Sequence, residues 1–472
     1  MKAGSKWRNI FGTAAKSDQC FDGHRILNSP WDADGLACSE QYLAIPMQGG
    51  GGPVCVLRHD QTGKQGGAPT ISGHKGAVLD MAFSPFDSSM LCTGSDDATV
   101  KLWSIPDGGL TENLHADAAL SELKGHEKKV GVTRWHPSAA NVLATSSIDK
   151  TIKIWDVETG QETFNVEGFK DYPTSMTWSY DGGMMAATTK SKQIHLIDPR
   201  EQAIMSTNDG HPGAKSQRCV WLGNKNLIFT FGFSKQSGRE LAVWDPKNME
   251  KPVWKDELDV GSGVMMPFYD EDIGILYLAG KGDGAINYFE VKDDSSLFYL
   301  SAMAGSPQAG MCMMPKRGCN VMKHEVAKLF KMEKTTVTPV SFVRPNKSEQ
   351  FQEDIFPNSA SQTPALQAAE WAGGATADPI LASLNPEGGG AVSAAAPVIK
   401  KKSGMAGRVE DLEKEVASLK EQLAGKDAEI AALKAGGAAP APAPAPAPAP
   451  VVAVVSESAP APAEDDDDEP AE

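Results

Sequence analysis

The stretch Asp149-Lys150-Thr151-Ile152-Lys153-Ile154-Trp155-Asp156 ends a segment that begins with Gly125-His126. The same pattern occurs 52 residues earlier, where Gly73-His74 precedes Asp97-Ala98-Thr99-Val100-Lys101-Leu102-Trp103. A repeat of this length, with Gly-His near its start and Trp at its end, is typical of one four-stranded blade of a WD-type β-propeller. The pattern therefore predicts an all-β fold built from such blades.

Four side chains in each copy can hydrogen-bond in series inside a blade. A histidine, a threonine, an aspartate and a tryptophan come from different strands, so the buried polar groups are satisfied while the indole ring fills the core. We predict that these residues form the scaffold and have no catalytic role. They are His74, Thr93, Asp97, Trp103, His126, Thr145, Asp149 and Trp155.

Alternating apolar runs that end in turns continue through the first 330 residues and predict the other blades. We interpret each run as the last strand of a blade, since the runs are roughly 40–52 residues apart. The runs lie at 54–57, 102–103, 154–155, 196–197, 243–244, 288–289 and 329–330. They predict a seven-bladed propeller, with a strand near Ile10-Phe11 completing the last blade. A seven-stranded β-sandwich would need far fewer than the roughly 330 residues used here.

Composition limits the classes of function. The 472 residues carry a net charge of −16, and seven of the last nine residues are acidic, which disfavours bulk nucleic-acid binding. The seven cysteines are scattered and have no zinc-ligand spacing, so they indicate reduced thiols of a cytosolic protein. No signal peptide, membrane-spanning run, nucleotide-binding loop or catalytic triad is recognisable. We therefore predict a protein that is not an enzyme and has no cofactor.

The chain divides into five predicted segments. The propeller occupies residues 1–334, and an apolar extension that packs on it occupies 335–385. A Gly-containing flexible linker follows at 386–404 and a short helical coiled coil at 405–435. Residues 436–472 form an Ala/Pro spacer and an acidic tail, both expected to be disordered.

The coiled coil is predicted from apolar residues at alternating three- and four-residue steps. A lone amphipathic helix that packs on the propeller is the alternative interpretation. Valine at a with leucine at d favours a dimer. Arginine at g and glutamate at e can instead pair across helices over the core. The predicted oligomerisation residues are Arg408, Val409, Leu412, Glu413, Val416, Leu419, Leu423, Ile430 and Leu433.

Motifs outside the repeats make the chain resemble the coronin family, almost continuously over residues 5–375 and again in the coiled coil. The family has a propeller, a packed extension, a variable linker and a C-terminal coiled coil, in this order. The motifs that carry the resemblance are Lys6–Gly12, Asp18–Cys20, Trp31-Asp32, Val78–Asp80, Ile105–Leu110, Lys129–Gly131, Trp135–Pro137, Gly261–Val264, Gly280–Asp283, Pro315–Gly318 and Phe351–Asp354.

The resemblance implies a cytoplasmic protein of the actin cytoskeleton and cell cortex. Such a protein binds filamentous actin and acts together with the actin-related-protein nucleation complex and cofilin. The acidic tail lacks the tryptophan usual in activators of that complex, which puts direct contact by the tail in doubt. The alternative function is a WD-propeller scaffold for trafficking or signalling complexes.

The resemblance also implies particular residues. Arg25 matches a family arginine implicated in filament binding, whereas without the family it would be an ordinary surface arginine or the partner of a nearby aspartate. Lys6, Arg8 and Lys16 lie close to it in sequence and are expected to extend the basic patch. A second candidate is the cluster Lys400, Lys401 and Lys402, and its alternative is a solubilising triplet. The Arg408–Glu413 arrangement resembles a trimer-specifying motif, which implies a homotrimer.

Overall fold

In the described part of the chain, seven mainly antiparallel sheets form a ring, and the first strands of neighbouring sheets contact one another all the way around it. The seven-bladed propeller predicted from the repeats is confirmed. The computed structural model describes residues 5–29, 31–348, 350–388 and Lys420. Two compact units divide the chain, 1–407 and 408–472, and of the second only Lys420 is described. The predicted Lys400–Lys402 cluster, the coiled-coil residues other than Lys420 and the acidic tail lie outside the described residues.

Blades 1 to 6 each contain four strands, which are consecutive in sequence except in blade 1, where the strand at 63–64 intervenes and pairs in another sheet. Blade 1 has Ala37–Cys38, Tyr42–Pro46, Val54–Arg58 and Thr70–Ile71. Blade 2 has Val78–Phe83, Met90–Ser95, Thr99–Ser104 and Ser121–Lys124. Blade 3 has Val130–Trp135, Val142–Ser147, Ile152–Asp156 and Gln161–Val166. Blade 4 has Pro173–Trp178, Met185–Thr189, Gln193–Asp198 and Ala203–Asp209. Blade 5 has Arg218–Trp221, Ile228–Phe233, Arg239–Trp244 and Trp254–Asp259. Blade 6 has Met265–Asp270, Ile275–Gly280, Ala285–Val291 and Leu297–Ala304.

Blade 7 joins the two ends of the propeller. Its strands from the C-terminal side are Gly310–Met313, Glu325–Met332 and Val337–Val343. As predicted, an N-terminal strand completes it: Phe11–Ala14 pairs antiparallel with 340–343. The short strands Phe21–Asp22 and Gly63–Lys64 extend the same sheet. The strand at 337–343, which we assigned to the extension, therefore belongs to blade 7.

The apolar runs that we interpreted as the last strand of each blade are mostly third strands. In blade 3, for example, Gln161–Val166 follows the run at 154–155 and pairs outside it. The run at 329–330 lies in the second strand of blade 7. The outermost strands were missed because they are half exposed and mostly polar, as in Trp254–Asp259 of blade 5. Such strands lack the alternating apolar pattern on which the prediction depended.

The two faces of the ring are distinguished by the direction of the innermost strands. On the start face these strands begin, as at Val78, and on the end face they finish, as at Trp135. Apolar side chains fill the spaces between adjacent blades, and the cluster between blades 6 and 7 also takes in Trp7 and Ile10. The hydrophobic core is thus distributed around the ring.

Residues 344–348 and 350–388 run along the end face. Ile355 and Phe356 pack into the cluster between blades 6 and 7. Trp371 packs between blades 3 and 4 and donates its ring N–H to the Gly182 carbonyl at 3.0 Å. The remaining short elements are the helix Ala368–Ala372, the strands Ser359–Ala360 and Leu381–Ala382, and the 3-10 helices Ser17–Gln19, Ala116–Ala118, Gly223–Lys225, Lys316–Gly318 and Val321–Lys323. Among the described residues, no helix has the length and apolar character required to cross a membrane.

Candidate functional site

The residues predicted to form the scaffold lie together in hydrogen-bonded networks. In blade 3, His126 contacts Asp149 at 2.8 Å through Nδ1 and Thr145 at 2.9 Å through Nε2. The Trp155 ring N–H donates to the same threonine at 2.8 Å. His74, Asp97, Thr93 and Trp103 repeat this arrangement in blade 2, with distances of 2.8–3.0 Å. These residues stabilise individual blades.

The surroundings of the network aspartates favour their ionised form, because they lower the pKa of both carboxyl groups. Burial by itself would raise the pKa of Asp149. Hydrogen bonds from His126 and Thr151, together with the electrostatic interaction with the His126 imidazole, outweigh burial and lower the pKa. The net result is a pKa well below the usual range, and the pKa of Asp97 is lowered in the same way. Because each carboxylate is saturated with donors, it holds the histidine and turn in place and has no acid–base role.

Blade 5 contains a third network that the sequence analysis missed. His211 contacts Glu240 at 3.0 Å and Thr230 at 3.0 Å, and the Trp244 ring N–H donates to Thr230 at 2.8 Å. The histidine and threonine are 19 residues apart, as in blades 2 and 3, but the tryptophan follows the threonine by 14 residues rather than 10. The sequence signals that could have identified this network are the Gly210-His211 dipeptide and the threonine 19 residues after this histidine.

Arg25 lies on the start face and its side chain is exposed. The backbone around it is fixed, because Gln48 N–H donates to the Arg25 carbonyl at 2.7 Å and His24 N–H donates to the Thr335 carbonyl at 3.0 Å. Within the described part of the chain, no carboxylate forms an ion pair with this guanidinium. Arg25 is therefore a cation on a rigid support that faces solvent.

The other predicted cations of the N-terminus separate onto two faces. Lys16 is exposed and lies next to Ala15, whose N–H donates to the Pro339 carbonyl near the start face. Lys6 is on the end face, where its Nζ donates to the Asp354 carbonyl at 3.1 Å. Arg8 lies beside it. The strand Phe11–Ala14 separates Lys6 and Arg8 from Lys16 and Arg25. Its four residues alone span about 13 Å. The structure thus brings Lys16 toward the face of Arg25 but not Lys6 or Arg8.

Residues 31–35 contact the innermost strands of blades 3, 5 and 7 near the start face, and we call these residues the plug. The Trp31 ring N–H donates to the Gly131 carbonyl at 2.8 Å, and the indole stacks on Tyr172 with ring centres 6.1 Å apart. A β-carbon on Gly131 would lie 2.0 Å from the Trp31 ring, so only glycine fits there. Lys281 donates to the Trp31 carbonyl at 2.6 Å. The plug therefore contacts blades 3 and 6 directly.

Asp34 fixes the plug to two arginines, the buried Arg218 and the partly exposed Arg134. Its carboxylate is 2.5 Å from Arg218 Nη2 and 3.2 Å from Arg134 Nη2, and Arg134 Nη1 is 3.0 Å from Asp80. Burial would raise the pKa of Asp34, but the two guanidinium groups outweigh it and lower the pKa. The sequence analysis missed this network, because four charged residues separated by up to 184 positions show no pattern.

Three sequence profiles match four parts of the chain. A domain of unknown function (DUF1899) matches residues 2–64. The WD domain, G-beta repeat, matches residues 68–104 and 118–156. Each match contains the outermost strand of one blade and the first three strands of the next, in blades 1 and 2 and in blades 2 and 3. A type of WD40 repeat matches residues 337–379, which begin at the third strand of blade 7 and continue into the extension.

Whole-chain comparisons find related proteins. Coronin-like protein crn1 of Schizosaccharomyces pombe is 39% identical over 386 residues, which are 81% of this chain and 64% of that protein. The chain thus spans less than two thirds of the length of this relative. Coronin-A of Dictyostelium discoideum is 38% identical over 443 residues, which are 91% of this chain and 98% of that protein.

The fold comparison agrees with the sequence comparison. The crystal structure of the WD40 domain of Toxoplasma gondii coronin is similar with a TM-score of 0.77 and 31% identity, covering 81% of this chain and 99% of that one. The chain therefore belongs to the coronin family.

Proposed function

We propose that this chain is a non-enzymatic, actin-filament-binding regulator of the actin cytoskeleton, and that Arg25 is part of its filament contact. The observation that carries the proposal is the exposed Arg25 on a fixed backbone, at the family position implicated in filament binding. Rigid platforms bind partners through faces and loops, and an acidic filament surface requires a cation at the contact. We further propose that the protein modulates filament branching and cofilin-driven filament disassembly at the cell cortex.

The predicted N-terminal cations lie on two different faces, and only those on the start face belong to the proposed filament contact. Lys16 extends the contact of Arg25, whereas Lys6 and Arg8 are on the end face and do not contact the same filament surface. The Lys400–Lys402 cluster, which lies outside the described residues, remains the second candidate for filament binding. This division makes Arg8 a matched control for Arg25, since both are exposed arginines close in sequence.

Arg25→Asp is expected to weaken filament binding at least about tenfold at low salt, because an attractive charge becomes repulsive toward an acidic partner. Co-sedimentation with filamentous actin across a salt series measures this, and Arg25→Ala should lose less. Stability should stay within about 0.5 kcal/mol of the parent, as for other exposed sites. Arg8→Asp is the control and should pellet like the parent.

If Arg25→Asp and the parent pellet equally at low salt, Arg25 is not part of the filament contact. The Lys400–Lys402 cluster is then the better candidate. Failure of the parent protein to pellet with filaments would contradict the proposed function as a whole. The WD-propeller scaffold for trafficking or signalling complexes would then be the better hypothesis.

We also propose a homotrimer through residues 405–435, with the dimer as the alternative. Deletion of residues 405–436 should convert the trimer to a monomer while the thermal melt of the propeller stays the same. Light scattering measures the mass of both proteins. A trimer increases filament binding because three weak contacts act at a high effective concentration. A monomeric parent at micromolar concentration is the result that excludes the coiled coil.

A further inference from the structure

One large apolar side chain on the start face is almost fully exposed to solvent. Val260 is 82% exposed, the highest value among the large hydrophobic residues that the structure describes. It directly follows the outermost strand of blade 5, which finishes on the start face because Asp259 pairs with Arg239, the first residue of the third strand. Within the same described ranges, the other exposed large hydrophobic residues lie at the end face or along outer strands: Phe11, Leu120, Met205, Val253, Tyr299 and Met322.

The loop 260–263 that carries this valine is packed tightly against two blades. A β-carbon on Gly261 would lie 2.4 Å from the guanidinium carbon of Arg239 in blade 5. A β-carbon on Gly263 would lie 2.2 Å from the carbonyl oxygen of Lys281 in blade 6. Single exposed apolar residues are common on protein surfaces, but they do not require a backbone that only glycine can form. Val260 is therefore presented on a fixed support.

The surroundings of the loop suit an acidic partner. The ammonium group of Lys215 donates to the Ser262 carbonyl at 2.5 Å, and in the described chain no carboxylate pairs with this lysine. Asp259, which precedes the valine, accepts from Arg239 Nη2 at 2.6 Å. The loop itself thus carries no unpaired negative charge that would repel an acidic surface.

We propose that Val260 forms an apolar contact between the start face and the actin filament. This inference rests on the proposed filament binding and adds a second contact to that of Arg25. The β-branched side chain has few rotamers and its loop is already fixed, so little conformational entropy is lost when it is buried against a partner. Removal of this apolar surface from water stabilises the complex in a way that salt does not screen.

The position of Val260 favours the filament as its partner. Arg25 lies beside blades 1 and 7, where Gln48 and Thr335 fix the neighbouring backbone, whereas Val260 lies at blade 5 on the same face. The end face is covered in part by the extension at 350–388, so the start face is the more open surface for a large partner. Two contacts on different sides of the ring would also fix the orientation of the propeller on the filament.

Val260→Ser in the full chain is expected to weaken filament binding about tenfold, because the apolar contact is lost. Val253→Ser is the matched control. Val253 is an exposed valine that directly precedes the same outer strand, at the opposite face, so this variant should pellet like the parent. Co-sedimentation with filamentous actin measures binding, and thermal melts show that both variants are folded.

A salt series distinguishes the apolar contact from the charged one. The fold-change of Val260→Ser should stay the same as salt rises, whereas that of Arg25→Asp should become smaller. Parent-like pelleting of Val260→Ser beside a loss in Arg25→Asp would overturn this inference and leave the proposed function intact. An equal loss in Val253→Ser, or a loss in Val260→Ser that salt removes, would also overturn it. Failure of the parent to pellet would instead contradict the proposed function.

Discussion

Trp155→Ala is expected to lower the free energy of unfolding by about 3–5 kcal/mol, the range for a large aromatic side chain removed from a core. Trp155 is 2% exposed and belongs to the apolar cluster between blades 2 and 3. Removing the ring leaves a cavity on both blades. It also leaves Thr145 without the ring N–H that donates to it at 2.8 Å. The loss therefore combines packing and hydrogen bonding.

Denaturant unfolding measures this loss, and Trp254→Ala is the control. Trp254 is a tryptophan of the outer strand of blade 5 and is half-buried, so its truncation should cost clearly less. Loss of filament binding in Trp155→Ala would follow from unfolding and would say nothing about the contact surface. A Trp155→Ala protein as stable as the parent would show that the ring does not carry the packing of blade 3.

The blades were predictable where the network residues occur at regular spacing. His126, Thr145 and Trp155 repeat the spacing of blade 2, and this regularity revealed the architecture. Blade 5 has the same network, but a longer connection before Trp244 and a glutamate in place of the aspartate concealed it. The outermost strands were not recognised because solvent on one side removes their apolar pattern.

The candidate functional surfaces were less predictable than the fold. Sequence proximity placed Lys6 and Arg8 with Arg25, yet an intervening strand puts them on the opposite face. The cavity lined by Trp135, Trp178, Trp221 and Tyr269 is assembled from residues of four blades, and each of its tryptophans has the sequence context of an ordinary core residue. Sites of this kind arise from ring closure, which brings together positions that have no local pattern.

The plug provides the second large effect. Asp34→Ala is expected to lower the free energy of unfolding by about 3–5 kcal/mol, because removal of one partner leaves a buried charge uncompensated. The charge is that of Arg218, whose side chain is 4% exposed and whose Nη2 is 2.5 Å from Asp34. Arg134 keeps Asp80 at 3.0 Å and should contribute less to the loss. Denaturant unfolding measures the change.

A double variant separates the buried charge from the other contacts of the plug. Asp34→Ala combined with Arg218→Met removes both charges and should recover much of the stability, since apolar replacement of a buried pair is often close to neutral. Trp31 and Gly131 still hold the plug in the double variant through their hydrogen bond of 2.8 Å. If the double variant is instead less stable than Asp34→Ala, Arg218 stabilises the plug mainly through its contact with the Asp32 carbonyl. The ion pair with Asp34 would then be the smaller contribution.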